Sequence, residues 1–211
     1  MKAPYRASPP KNNHVRVLIC NSDPKKLDEV YVRFLGRGGD KLLSEESKWL
    51  AVTAKSFDHG RRGFNDRLAF FGKRIVELQC SLGLLNARDS SKHHLKDHPS
   101  SHGREPFSHP ATDAIEVLSG GARHWFTHHK QLSTIAQRNG FPEVVRWHPK
   151  YQDNLEASGS DLVYSQALMA VIGALALEQG SAVANRIARE KILFPLGLKE
   201  ATNEKLEVPQ R

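Results

Sequence analysis

The chain has 211 residues, 39% of them apolar, and 31 Lys and Arg against 23 Asp and Glu give a formal net charge of +8. That length suits one ordinary domain with a sizeable core plus extensions, and the basic balance favours a polyanionic partner, RNA or DNA first, although a merely basic soluble enzyme fits the totals too. Two cysteines, Cys20 and Cys80, exclude a disulfide framework, and the absence of any C-x-x-C pair excludes a cysteine-built zinc site, so a reducing compartment is the simpler reading.

Residues 1–41 read as a basic N-terminal extension, with one short apolar run from Val15 to Cys20 and a glycine-rich "GRGGD" at 36–40. The first 17 residues hold Lys2, Arg6, Lys11 and Arg16 and no acid. That bias suits either a mitochondrial transit segment or a solvated arm for nucleic acid, and Pro4, Pro9 and Pro10 oppose a good amphipathic helix. From Leu42 helical spacing takes over. "DKLLSEESKWLAVTAKSF" (40–57) has apolar residues at 42, 43, 49, 50 and 52, with Ser44 ahead of Glu45 as a cap. "NDRLAFFGKRIVELQCSLGLL" (65–85) places Leu68, Phe71, Ile75, Leu78 and Leu82 at three- and four-residue steps, which predicts a long, largely buried helix on that ridge.

Residues 88–111 are rich in Ser, His and Pro and read as a loop or disordered insert. Helical patterns resume over 111–140, broken near Gly120 and Gly121 and stopped at Gly140. Residues 161–179 predict a very apolar helix buried nearly all round, and 182–196 a last amphipathic helix ended by Pro195, leaving 196–211 as a tail. No internal repeat and no convincing strand is present, so the expected fold is all-α. No apolar run approaches the roughly 20 residues that span a bilayer, so no membrane segment is expected.

Two clusters invite a chemical reading. His93, His94, His98, His102 and His109, or His128 with His129, could bind a metal, but the first five lie in a Pro/Ser-rich stretch without the fixed scaffold that tetrahedral zinc needs. No metal and no other cofactor is expected. The second cluster is basic. From Lys55 to Arg74 there are six cations, Lys55, Arg61, Arg62, Arg67, Lys73 and Arg74, against the two acids Asp58 and Asp66. As a lone charge run this would be a solvated face; as a site it would grip phosphates without reading sequence, with steep salt dependence.

The same stretch, "AVTAKSFDHGRRGFNDRLAFFGKRIVEL", resembles the signature segment of the ribonuclease III family, roughly A-[FL]-T-H-[KR]-S-[FY] and then N-E-R-L-E-F-L-G-D-A-V-L-E-L. Ala51, Thr53, Lys55, Ser56, Phe57, Asn65, Arg67, Leu68, Phe70, Gly72, Glu77 and Leu78 match it. A second family segment, D-x-x-E-A-x-x-G-A, aligns with "QALMAVIGA", where Ala170, Gly173 and Ala174 agree, and "QLSTIAQRNGF" resembles the helix that begins L-x-x-I-A. The resemblance covers residues 42–195 and implies that family's helical domain.

Family enzymes cut double-stranded RNA with two magnesium ions held by carboxylates from these two helices. The resemblance therefore implies acids at five positions, which here read Asp66, Ala69, Lys73, Gln166 and Met169. Asp66 keeps an acid at the position least tied to the metals. A Lys ammonium about 5 Å from a divalent ion is repelled by roughly 6 kcal/mol at an effective dielectric of 20, so no magnesium pair and no catalysis are expected. A shifted alignment would turn to Glu77, Asp161 or Glu178, of which Glu77 matches a family Glu outside the metal cluster and Asp161 lies more than one turn before Gln166.

The chain runs only about 16 residues past its last helix, so the separate RNA-binding module of bacterial members is expected to be absent. Degenerate domains of this kind resemble proteins of the mitochondrial large ribosomal subunit, especially in fungi, where two of them pair as a heterodimer on ribosomal RNA. This resemblance implies a non-catalytic ribosomal constituent in mitochondria, contacting RNA, a second ribonuclease III-like protein and other large-subunit proteins. An inactive dimer partner in RNA processing and an active endoribonuclease are the competing readings.

Overall fold

The first helix, α1 (Pro24–Leu35), lies inside the stretch expected to be an extension. Its local signals are strong: the Asp23 side chain accepts from the Lys25 N–H at 2.9 Å, Pro24 opens the first turn, and Gly36 ends it at φ 96°. Leu27, Val30, Tyr31 and Phe34 recur at three- and four-residue steps and are almost wholly buried. The Tyr31 hydroxyl donates to the Lys48 carbonyl at 3.1 Å, and Lys48, itself nearly buried, pairs with Asp28 at 2.5 Å. The phenol, having lost its water, is pushed up in pKa. Phe34 meets Phe141 edge-to-face, ring centres 5.6 Å apart. The helical core thus starts earlier than Leu42, because this short amphipathic stretch is hidden between basic and glycine-rich neighbours.

The computed structural model describes residues 20–86, 118 and 120–198; the basic arm, the His-rich insert at 88–111 and the tail beyond residue 198 lie outside the described residues. After α1 come α2 (Glu45–Ala51), α3 (Asp66–Asn86), α4 (Gly120–Thr127), α5 (His129–Arg138), α6 (Ser160–Glu178) and α7 (Ser181–Ile187). Winding then widens into a π-helical turn over Ala188–Leu193 and tightens over Phe194–Leu196, where Pro195 removes a backbone donor. Among the described residues extended pairing is limited to one parallel bridge, Thr53 with Arg146. The fold is all-α.

Helix α6 forms the centre. It is apolar on every side and buried without a break from Ala167 to Leu175. By length and hydropathy it could cross a bilayer, contrary to the expectation that no run approaches that size, but two thirds of it is covered by α3, α5, α7 and α2, as a core helix should be. Each large aliphatic side chain buried there stabilises the fold by about 1.5–3 kcal/mol. Break and stop signals resolve differently over 120–140. Gly120 starts α4, and the break falls at His128, whose Nδ1 accepts from the Lys130 N–H at 3.3 Å and caps α5. Gly140 stops α5 at φ 83°, as its sequence position suggested.

Helix α3 crosses α6 at touching distance. A Cβ on Gly72 would lie 1.9 Å from the Met169 carbonyl oxygen, and one on Gly173 would lie 2.1 Å from that of Leu68. Small residues therefore define the buried face of α3: Ala69, Gly72, Val76 and Cys80, with Leu84 at the end. The apolar ridge expected to be core points elsewhere. Phe71, Leu78 and Leu82 are exposed, and Leu68 and Ile75 only half-buried. The helix has two apolar stripes, and close backbone approach selects the one with small side chains. The start of α3 is set by Asn65, which is fully buried: its N–H donates to the Thr53 carbonyl and its Nδ2 to that of Ala51, each at 3.0 Å.

Candidate functional site

With Asn65 pinned, Asp66, Ala69 and Lys73 fall on one face of α3, at the spacing i, i+3, i+7. Gln166 and Met169 face them from α6, and all five residues line a single cavity of about 490 Å³. Gln166 Nε2 donates to Asp66 Oδ1 at 2.6 Å, so the one carboxylate among the five is already engaged. Ala69 and Met169 form a nearly buried floor. Lys73 is exposed at the rim, 3.8 Å from Glu77, which also takes a 2.8 Å ion pair from Arg74.

More of the lining comes from a segment whose only site signal in the sequence was the pair His128 and His129. Arg123, His124 and Thr127 of α4, with His128, His129 and Leu132, complete the cavity lining. The two bases Lys73 and Arg123 balance the two acids Asp66 and Glu77, so the lining is formally neutral rather than cationic. Loss of water, and then the neighbouring His129, His124 and Lys130, hold the His128 imidazole below its ordinary pKa. That suits a ring nitrogen accepting a hydrogen bond at a helix start. Burial pushes the Cys80 thiol, beneath the site on α3, up to about 11, so it is a packing group rather than a nucleophile.

The alternative acids serve the scaffold. Glu178 accepts from the Ser44 N–H at 2.8 Å and from its hydroxyl at 2.7 Å, tying the end of α6 to the start of α2. Asp161 accepts from the Ser133 hydroxyl at 2.6 Å and joins α6 to α5. Glu77 lines the cavity but as an ion-pair acceptor. His128 and His129 stack at 4.1 Å between ring centres, yet among the described residues no three His, Cys, Asp or Glu side chains converge as metal ligands.

The six cations of the basic stretch are all exposed. Lys55, Arg61 and Arg62 stand on the turn that leads into α3, and Arg67 and Arg74 stand two turns apart along one flank of that helix. Arg62 is paired with Asp58 at 3.1 Å, Lys55 sits 5.5 Å from the Phe64 ring centre, and Arg74 sits 5.1 Å from that of Phe70. Arg61 and Arg67 form no salt bridge among the described residues. The structure therefore brings Lys73 to the cavity rim and leaves the other five outside its lining.

A helical domain whose two longest helices cross at paired glycines and present five aligned positions to one cavity has the architecture of a ribonuclease III nuclease domain. The nuclease domain of ribonuclease III from Campylobacter jejuni superposes with a TM-score of 0.55 over 85% of this chain and 100% of that one, at 22% identity. Residues 44–196 match the profile of the ribonuclease-III-like family, and the chain belongs to that family. It is 43% identical over 179 residues to the large ribosomal subunit protein mL57 of Neurospora crassa, an alignment that spans 85% of this chain and 66% of the relative's length.

Proposed function

We propose that the chain is a non-catalytic constituent of the mitochondrial large ribosomal subunit. In this reading it binds ribosomal RNA and pairs with a second ribonuclease III-like protein. The observation that carries the proposal is the donor set of the cavity. Asp66, Ala69, Lys73, Gln166 and Met169 meet there, and a pair of magnesium ions finds only two carboxylates, Asp66 bonded to Gln166 and Glu77 paired with Lys73 and Arg74, beside a methyl and a thioether. Magnesium needs several clustered hard oxygen ligands, so the residues do not fit it. The name of the Neurospora relative supports the ribosomal setting.

Two surfaces support the proposed partners. The exposed cations Lys55, Arg61, Arg62, Arg67 and Arg74, with Lys73 at the cavity rim, suit the phosphate backbone of A-form RNA, read by shape. Phe71, Leu78 and Leu82 put exposed apolar surface on the adjoining face of α3, as a surface meant for a protein would. Other large-subunit proteins would complete the environment.

Tagged protein in a mitochondrial lysate should sediment with the large-subunit peak through moderate salt. Sedimentation instead in a smaller complex with nuclease activity would replace the proposal with a processing role. Magnesium-dependent cleavage of double-stranded RNA by the purified chain, abolished by EDTA, would overturn it.

A further inference from the structure

Backbone binding by the outer cations leaves the cavity itself without a role. Its volume, about 490 Å³, lies within the roughly 300–1,000 Å³ of ordinary small-ligand sites. Its floor of Ala69, Leu132 and Met169 is apolar and nearly buried, and Phe70, 63% exposed, stands at the wall. The formal charges of the lining cancel, so a phosphate gains no net attraction inside. A flat, neutral ring with a polar edge fits better, since the floor takes the ring and the Asp66–Gln166 pair takes the edge. One Asp66 oxygen is used by Gln166. Among the described residues no hydrogen bond engages the other oxygen or Gln166 Oε1, so the pair offers two acceptors. Two acceptors suit a base with an exocyclic amine, adenine, cytosine or guanine, better than uracil.

We propose that this cavity takes one extruded, amine-bearing base of the bound RNA, while the strand on either side follows Arg67 and Arg74. The inference rests on the RNA-binding reading above and deepens it: the outer surface grips the backbone, and the cavity selects a place along the RNA where a nucleotide is unpaired. Extrusion is easiest for a base that is already unpaired, and stacking then favours the bound state.

The test uses the full chain at one fixed salt concentration and three RNAs: a blunt duplex, the same duplex with a single bulged adenosine, and the same with a bulged uridine. Wild type should bind the adenosine bulge about tenfold more tightly than the blunt duplex, with the uridine bulge nearer to blunt. Gln166→Leu, and independently Thr127→Trp, which fills the cavity from a lining position on α4, should remove the bulge preference and leave blunt-duplex affinity unchanged. Equal affinity of wild type for all three RNAs would overturn the extruded-base site and leave the backbone reading intact. Binding to none of them would overturn the RNA-binding reading itself. Retention of the full preference by both variants, with their helical melting curves unchanged, would place the bulge elsewhere and also refute the proposal.

Discussion

The contact between α3 and α6 has two halves that obey different rules. At Gly72 and Gly173 the backbones nearly touch, and there is no room for a methyl group on either glycine. Beside it, Asp66, Ala69, Gln166 and Met169 of the same helices line a cavity. The first half is fixed by steric exclusion and the second by whatever chemistry the cavity serves. Clustered acids repel one another without a cation between them. Here Gln166 gives Asp66 a neutral hydrogen-bond partner instead. The helix crossing is held by the glycines, so it does not depend on what charge the cavity positions carry.

Four substitutions would break or sharpen that contrast. Gly173→Ala has the largest expected effect, because its methyl meets backbone that cannot swing away; a loss of about 3 kcal/mol in urea unfolding is expected, and an unchanged midpoint would mean the crossing is looser than it looks. Met169→Glu should cost about 2 kcal/mol by placing an unpaired carboxyl on an apolar floor, so adding one acid alone should destabilise the fold rather than build a metal seat. Gln166→Ala should cost only about 0.5–1 kcal/mol, since Asp66 is half-exposed and water can replace the lost donor. A loss as large as that of Gly173→Ala would show that the cavity half also holds the helices.

The smallest effect is at Glu178, outside the crossing. Burial alone would raise its pKa, but hydrogen bonds from Ser47 and Ser44 outweigh that and leave the carboxyl below its usual range. Its contribution is therefore present above the ordinary Glu range and lost as the pH falls through the lowered folded value. The group is exposed, so Glu178→Ala should cost no more than about 1 kcal/mol at pH 7. The difference from wild type should close on acidification, followed by thermal melting.

The central helix and the first turn of α3 were legible because their signals are local: an unbroken apolar run and a motif of fixed spacing. The five cavity positions were legible through the family pattern, and they do meet. The partition of α3 was not. Phe71, Leu78 and Leu82 are more hydrophobic than Ala69 and Gly72, so side-chain hydropathy chose the wrong stripe, and the close crossing that decides the matter belongs to the pair of helices. Arg123, His124 and Thr127 carried no signal because residues that only line a cavity need no sequence pattern of their own. Helix α1 did carry one, Asp23, Pro24 and Gly36 at its two ends, but the charge and glycine around it masked the reading.

That helix has a practical consequence. The family match begins at residue 44, yet α1 seals the hydrophobic interior with Leu27, Val30, Tyr31 and Phe34 and anchors itself through Lys48. The span of the family profile is smaller than the unit that folds. A fragment trimmed to the matched boundary would strip Phe141 of its aromatic neighbour and leave Lys48 without its counterion, and it should come out of expression sticky and poorly soluble.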